Sequence, residues 1–132
     1  MNDVELNKAA TIERCIARVH EDYAGDPASL ADQRRQDAIV LNLLRACEAA
    51  IDLAMHRVRE GRLGVPQDSR DAFELLARAG RLTSEQARTL KAMVGFRNVA
   101  IHEYQRLNLE IVRAVIERHL GDLREFATLH SR

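Results

Sequence analysis

The segment between Arg35 and Glu60 restricts the fold more than any other part of the chain. Ile39, Val40, Leu43, Leu44, Cys47, Ala50, Ile51, Ala54, Met55 and Val58 recur there at the three- and four-residue steps of an α-helix. The stripe they form is too wide for a single contact. Such a helix must meet either several helices of its own chain or a second subunit. Gly61 is placed to cap its C-terminus, and Pro66 marks the stop.

The rest of the chain reads in the same way. Ile12, Ile16, Val19 and Tyr23 give one apolar face to a first helix from about Val4 to Tyr23, which Gly25-Asp26-Pro27 breaks. The polar stretch from Ala28 to Arg35 reads as a loop or a frayed helix start. A short third helix is capped by Asp68 or Ser69, buries Phe73, Leu76 and Ala77, and ends at Gly80. The fourth opens with a capping box at Thr83-Ser84-Glu85-Gln86 and runs through Leu90, Met93 and Val94 toward Ile101. Asn108 caps a fifth, with Leu109, Val112, Ile116, Leu120, Leu123 and Ala127 as its stripe. With 6 Gly and 2 Pro in 132 residues, a turn-rich β fold is disfavoured. The expectation is an all-α, antiparallel bundle of about five helices, with residues 1–132 forming a single domain.

Charge does not nominate a partner. Lys+Arg and Asp+Glu both number 20, so the chain lacks the strongly basic character of many nucleic-acid binders. Its cations are almost all arginine, only Lys8 and Lys91 being lysine, which suits bidentate phosphate contacts but also follows from codon bias. Cys15 and Cys47 form no CxxC pair and lie on apolar stripes, as small hydrophobes do. The N-terminus lacks a basic stretch followed by an apolar one, and no run is long enough to span a bilayer. A cytoplasmic location is expected.

Signatures of phosphate-cradling loops, zinc hydrolases and serine hydrolases are missing. Glu48 and Asp52, one helical turn apart, form a carboxylate pair that either binds a metal or pairs with nearby groups such as Arg45. His20, His56, His119 and His130 fall near helix ends or stripe edges and read as structural or surface groups. Arg57, Arg59 and Arg62 cluster at the end of the second helix, where they either contact RNA phosphates or complement the helix dipole.

Arg97-Asn98-Val99-Ala100-Ile101-His102-Glu103-Tyr104 stands apart, because it places Arg, Asn, His and Tyr within eight positions of a helix that otherwise reads as core. It resembles the R-x4-H-x-Y motif of HepT toxins, a branch of the HEPN superfamily. Ile12-Glu13-Arg14-Cys15-Ile16, the helix from Asp37 to Asp52, Leu63-Gly64-Val65-Pro66 and Ser69-Arg70-Asp71 extend the resemblance over essentially the whole chain. The resemblance implies a metal-independent endoribonuclease toxin that dimerises and needs no cofactor. It also implies a partner, an MntA-like nucleotidyltransferase antitoxin that adds AMP to the motif tyrosine, here Tyr104. A non-catalytic helical partner that only accepts this modification is the alternative.

The side chains suit this chemistry on their own terms. RNA is cut without a metal when its 2′-hydroxyl attacks the adjacent phosphate. That reaction needs a proton carrier near neutrality, for which His102 is suited, and a fixed cation on the phosphate, for which Arg97 is suited. On a regular helix, however, the two side chains point about 140° apart with about 7.5 Å of rise between them. Either the helix breaks between them, or two copies of the motif meet across a dimer axis. Asn98, four residues before His102, is placed to fix its tautomer or hold substrate, unless it is simply a surface Asn. Tyr104 is expected where the helix ends, with its hydroxyl open to modification. Without the resemblance it reads as a packing tyrosine.

Overall fold

A computed structural model describes residues 2–129, which places His130 outside the described residues. The chain forms α1 (Asp3–Tyr23), α2 (Gln33–Glu60), α3 (Ser69–Arg78), α4 (Ser84–His102), α5 (Leu109–Ala114) and α6 (Leu120–Leu129). A π-helical stretch, Val115–His119, joins α5 to α6 through residues that keep right-handed helical dihedrals. The last two helices are therefore one rod with a widened middle, matching the single fifth helix expected from the sequence. Among the described residues there is no strand, and no helix is long and apolar enough to cross a membrane.

Local signals place the helix ends. Asp32 caps α2, its carboxylate accepting from the backbone N–H groups of Arg34 and Arg35, so the helix starts two residues earlier than its apolar stripe suggests. The preceding segment is a 3-10 turn, Pro27–Ala31, that buries Ser29 and Leu30 rather than a polar loop. Asp68 caps α3, and Asn108 caps α5. Thr83 and Gln86 complete a reciprocal capping box at α4.

α2 is the spine of the bundle. It contacts α1, α3, α4 and α6, and all four neighbours share its core. The breadth of its apolar stripe is thus explained within one chain, with only Leu44 and Met55 left partly exposed. Of the stripe assigned to the last rod, Leu109 alone faces solvent.

One charged side chain lies inside this core. Arg57, only 2% exposed, donates from Nε to Glu5 Oε1 at 3.1 Å, from Nη1 to the Phe126 carbonyl at 2.9 Å and from Nη2 to the Ala127 carbonyl at 3.3 Å. Its guanidinium also lies 4.9 Å from the centre of the Phe126 ring. Arg57 therefore closes α1 and α6 onto α2, and the sequence-based option of an RNA contact at this position is corrected. Burial works to raise the Glu5 carboxyl, but the hydrogen bond and charge of Arg57 outweigh it and hold Glu5 below its ordinary value of 4.5. A depressed carboxyl adds stability that is complete above its unfolded pKa and is lost as pH falls through the folded one. Glu5→Gln is expected to cost about 1–2 kcal/mol at neutral pH. In urea unfolding at a series of pH values, the gap to wild type should close in acid, below the ordinary Glu5 value of 4.5. A gap that stays constant through that range would contradict the role given to this pair.

Candidate active site

α4 remains helical from Ser84 through His102, and the Glu103 N–H still donates to the Val99 carbonyl at 2.7 Å. The helix does not break between Arg97 and His102. Their side chains consequently leave different faces of one rod.

Arg97 is held from two sides. Its Nη2 donates to Ser69 Oγ, at the start of α3, over 3.2 Å. Its Nη1 lies 3.1 Å from Glu48 Oε1 on α2, an ion pair without hydrogen-bond alignment, since Glu48 Oε1 is buried and accepts no hydrogen bond. The Arg97 Nε is also buried without a partner. With 19% of its side chain exposed, the guanidinium is fixed in position while part of it still faces solvent. A planar cation with unused donors in a rigid mount is suited to receive a phosphate.

His102, the last residue of α4, is exposed and makes no side-chain hydrogen bond or ion pair among the described residues. Its imidazole is free to exchange protons with a ligand. Asn98 is half-buried and makes no such bond either, including to His102. The tautomer-fixing contact considered from the sequence is therefore not formed here.

Tyr104 opens a 3-10 turn, Tyr104–Arg106, immediately beyond α4. Its hydroxyl donates to Asp37 Oδ1 on α2 at 2.6 Å. Burial, followed by the Asp37 bond and charge, pushes the phenol up to about 12. Tyr23, the other tyrosine, is buried in the core with its hydroxyl on Glu117.

The carboxylate pair on α2 divides between two cations. Glu48 faces Arg97, and Asp52 binds Lys8 at 3.0 Å. Neither pairs with Arg45. Among the described residues, no group of three or more His, Cys, Asp and Glu is arranged to hold a metal ion. His56 is buried against Asn2, at 2.8 Å, and His119 pairs with Asp122 at 3.0 Å. His20 is an exposed residue in the last turn of α1.

Three site residues were not assigned roles from the sequence. Ser69 was considered only as a helix cap, and Glu48 only as half of a carboxylate pair. Arg70 lies across the face of α4 at Gly95, where an added Cβ would sit 3.1 Å from its Nη2. It is exposed and unpaired among the described residues. A glycine inside a helix costs about 1 kcal/mol relative to alanine, and here its missing side chain makes room for a guanidinium. Glu48 stood at the edge of the α2 stripe, between Cys47 and Ile51, which was the one available signal that it faces a neighbouring helix.

The HepT-like ribonuclease family profile matches residues 12–129. The chain belongs to that family. Ribonuclease HepT-like is its description, which meets the expectation of a ribonuclease. An mRNA nuclease HepT of Shewanella oneidensis is 48% identical over 126 residues, covering 96% of this chain and 95% of that protein. The fold matches a solved structure of a tri-AMPylated Shewanella oneidensis HEPN toxin in complex with MNT antitoxin. The TM-score is 0.92 at 48% identity, over 98% of this chain and 97% of that one. A toxin–antitoxin structure with AMP-PNP matches with a TM-score of 0.90 at 48% identity, over 97% of each chain.

If Glu48 serves to hold Arg97 in place, Glu48→Ala should reduce RNA cleavage by about tenfold or more, the scale on which supporting residues act. Stability should shift by less than about 1 kcal/mol, because nearly half of the Glu48 side chain is solvent-exposed. A fluorescent RNA cleavage assay beside a urea melt would measure both. Cleavage at the wild-type rate would show that Arg97 does not need this mount.

Proposed function

We propose that the chain is a metal-independent endoribonuclease toxin whose active site is a cleft shared by two copies, each supplying Arg97 and His102. The observation that carries this reading is the unbroken α4. One chain cannot bring the two side chains onto one phosphate, whereas a two-fold axis beside the C-terminal turns of α4 can. Apolar surface in the right place supports the pairing. Val99 and Ile101 precede His102 in the last turn of α4 and are 36% and 48% exposed, and Leu109 and Ile111 follow on α5. With the stripe of α2 buried inside the chain, these residues offer exposed apolar surface beside the motif to a second copy.

In the cleft, the RNA 2′-hydroxyl is the nucleophile. His102 of one copy takes its proton, and the departing 5′-oxygen receives one from the other. Arg97, mounted on Glu48 and Ser69, stabilises the charge that builds on the phosphate. Arg70 contacts a neighbouring phosphate. Asn98 orients substrate near His102. The products of this reaction end in a 2′,3′-cyclic phosphate.

Control is assigned to Tyr104. The 48%-identical toxin carries AMP in its complex with MNT antitoxin, and of the two tyrosines here only Tyr104 has a partly exposed ring. An MntA-like nucleotidyltransferase would add AMP to its hydroxyl, two residues from His102, and the added anion would compete with RNA for Arg97. Tyr104→Phe should keep its ribonuclease activity and escape this silencing.

The deciding experiment compares RNA cleavage by wild type, His102→Ala and Arg97→Ala, each with and without EDTA. Wild type should cut equally well in chelator, and each variant should lose about 10²-fold or more in rate while keeping its helical circular dichroism. Light scattering on the active wild-type sample should give the mass of a dimer. Strict metal dependence with 5′-phosphate ends, undiminished variants or a fully active monomer would each overturn the proposal.

A further inference from the structure

The Tyr104 hydroxyl is aimed by a residue 67 positions away in the chain. Asp37 Oδ1 accepts its proton at 2.6 Å, and the same oxygen accepts from Gln33 Nε2 at 2.8 Å, one turn earlier on α2. The carboxylate is thus aligned by its own helix before it meets the phenol. The hydroxyl proton is directed at Asp37, the side chain of Gln36 on α2 also reaches the phenol oxygen, and a lone pair of that oxygen remains to attack. Asp37 is exposed and Tyr104 half-exposed, so a nucleotide held by another protein can approach that oxygen. Tyr23 donates to Glu117 in the same manner, but its ring is 3% exposed, so the same pairing there lacks an entry route. A phenol held up at about 12 stays protonated at neutral pH and must lose its proton as it attacks.

We propose that Asp37 is the proton acceptor for AMP transfer onto Tyr104. This inference rests on the reading of Tyr104 as the AMP acceptor. In the transfer, a lone pair of Tyr104 Oη forms a bond to the α-phosphorus of ATP bound by the nucleotidyltransferase. The bond from that phosphorus to the oxygen bridging to the β-phosphate breaks, and pyrophosphate leaves with the electron pair. The Oη proton passes to Asp37 Oδ1 and from there to water. Asp37 makes no hydrogen bond or ion pair with Arg97 or His102, so RNA cleavage by the unmodified chain is expected not to depend on it.

The test uses the full chain as wild type, Asp37→Asn, Asp37→Glu and Tyr104→Phe. Each is incubated with its MNT-type nucleotidyltransferase partner, ATP and magnesium, and followed by peptide mass spectrometry. Asp37→Asn still accepts a hydrogen bond from the phenol but cannot take its proton. It should show unchanged melting and unchanged RNA cleavage. Its kcat for AMP addition to Tyr104 should fall about tenfold or more, with KM values for ATP and for the chain held within about twofold. Asp37→Glu should restore part of the rate. Asp37→Asn modified at the wild-type rate would overturn the proposal, as would a loss confined to KM or one that Asp37→Glu does not relieve. Wild type modified at a position other than Tyr104, or not at all, would instead remove the reading of Tyr104 on which the proposal stands.

Discussion

A buried guanidinium holds the bundle closed. Arg57 is nearly inaccessible, yet each of its three nitrogens has an acceptor: a carboxylate on α1 and two carbonyls near the end of α6. Burying a charge is unfavourable unless it is paired and its donors are satisfied, and here both conditions hold. The two carbonyls lie toward the C-terminal end of α6. Arg57 thereby ties the C-terminal part of α6 to the start of α1 from within the core. With those helices secured on one side of α2, the other side is free to receive α3 and α4. That placement brings Glu48, Ser69 and Arg97 together from three different helices.

The two motif side chains are held very differently. Arg97 is fixed by contacts to two helices, whereas His102 stands at a helix terminus with no hydrogen-bond or ion-pair partner among the described residues. The division suits the tasks proposed for them. A group that stabilises charge acts best from a preorganised position, since it need not rearrange as the charge develops. A group that first takes a proton and then gives one benefits from open access to its ligand. Continuity of α4 enforces the separation, and it is the reason a second copy is called on to complete the cleft.

Much of this was legible in the sequence, because helix caps and apolar periodicity are local signals. The capping box at Thr83, the cap at Asn108 and the buried face of Ile12, Ile16, Val19 and Tyr23 all needed only neighbouring residues to be read. What escaped was tertiary. Arg57 shares its sequence neighbourhood with Arg59, and nothing local separates an arginine turned into a core from one turned to solvent. Glu48 and Asp52 form a pair by spacing, but Arg97 and Lys8 divide them, and those partners lie on other helices. Asp37 was visible only as a polar residue near a helix start, since the tyrosine it binds is 67 residues further along the chain. The motif was legible as chemistry, while the continuity of its helix, which decides how that chemistry can be assembled, was left as one of two alternatives.

The position of Tyr104 has a consequence for populations of molecules. If two chains share one cleft, a single modified tyrosine places its nucleotide at a site that both chains need. The remaining activity would then follow the fraction of pairs in which neither member is modified, rather than the fraction of unmodified chains. When half of the chains carry the group at random, only about a quarter of the pairs remain untouched. Activity would fall faster than modification proceeds, and an antitoxin enzyme that had reached a minority of its targets would already have quieted a disproportionate share of the toxin.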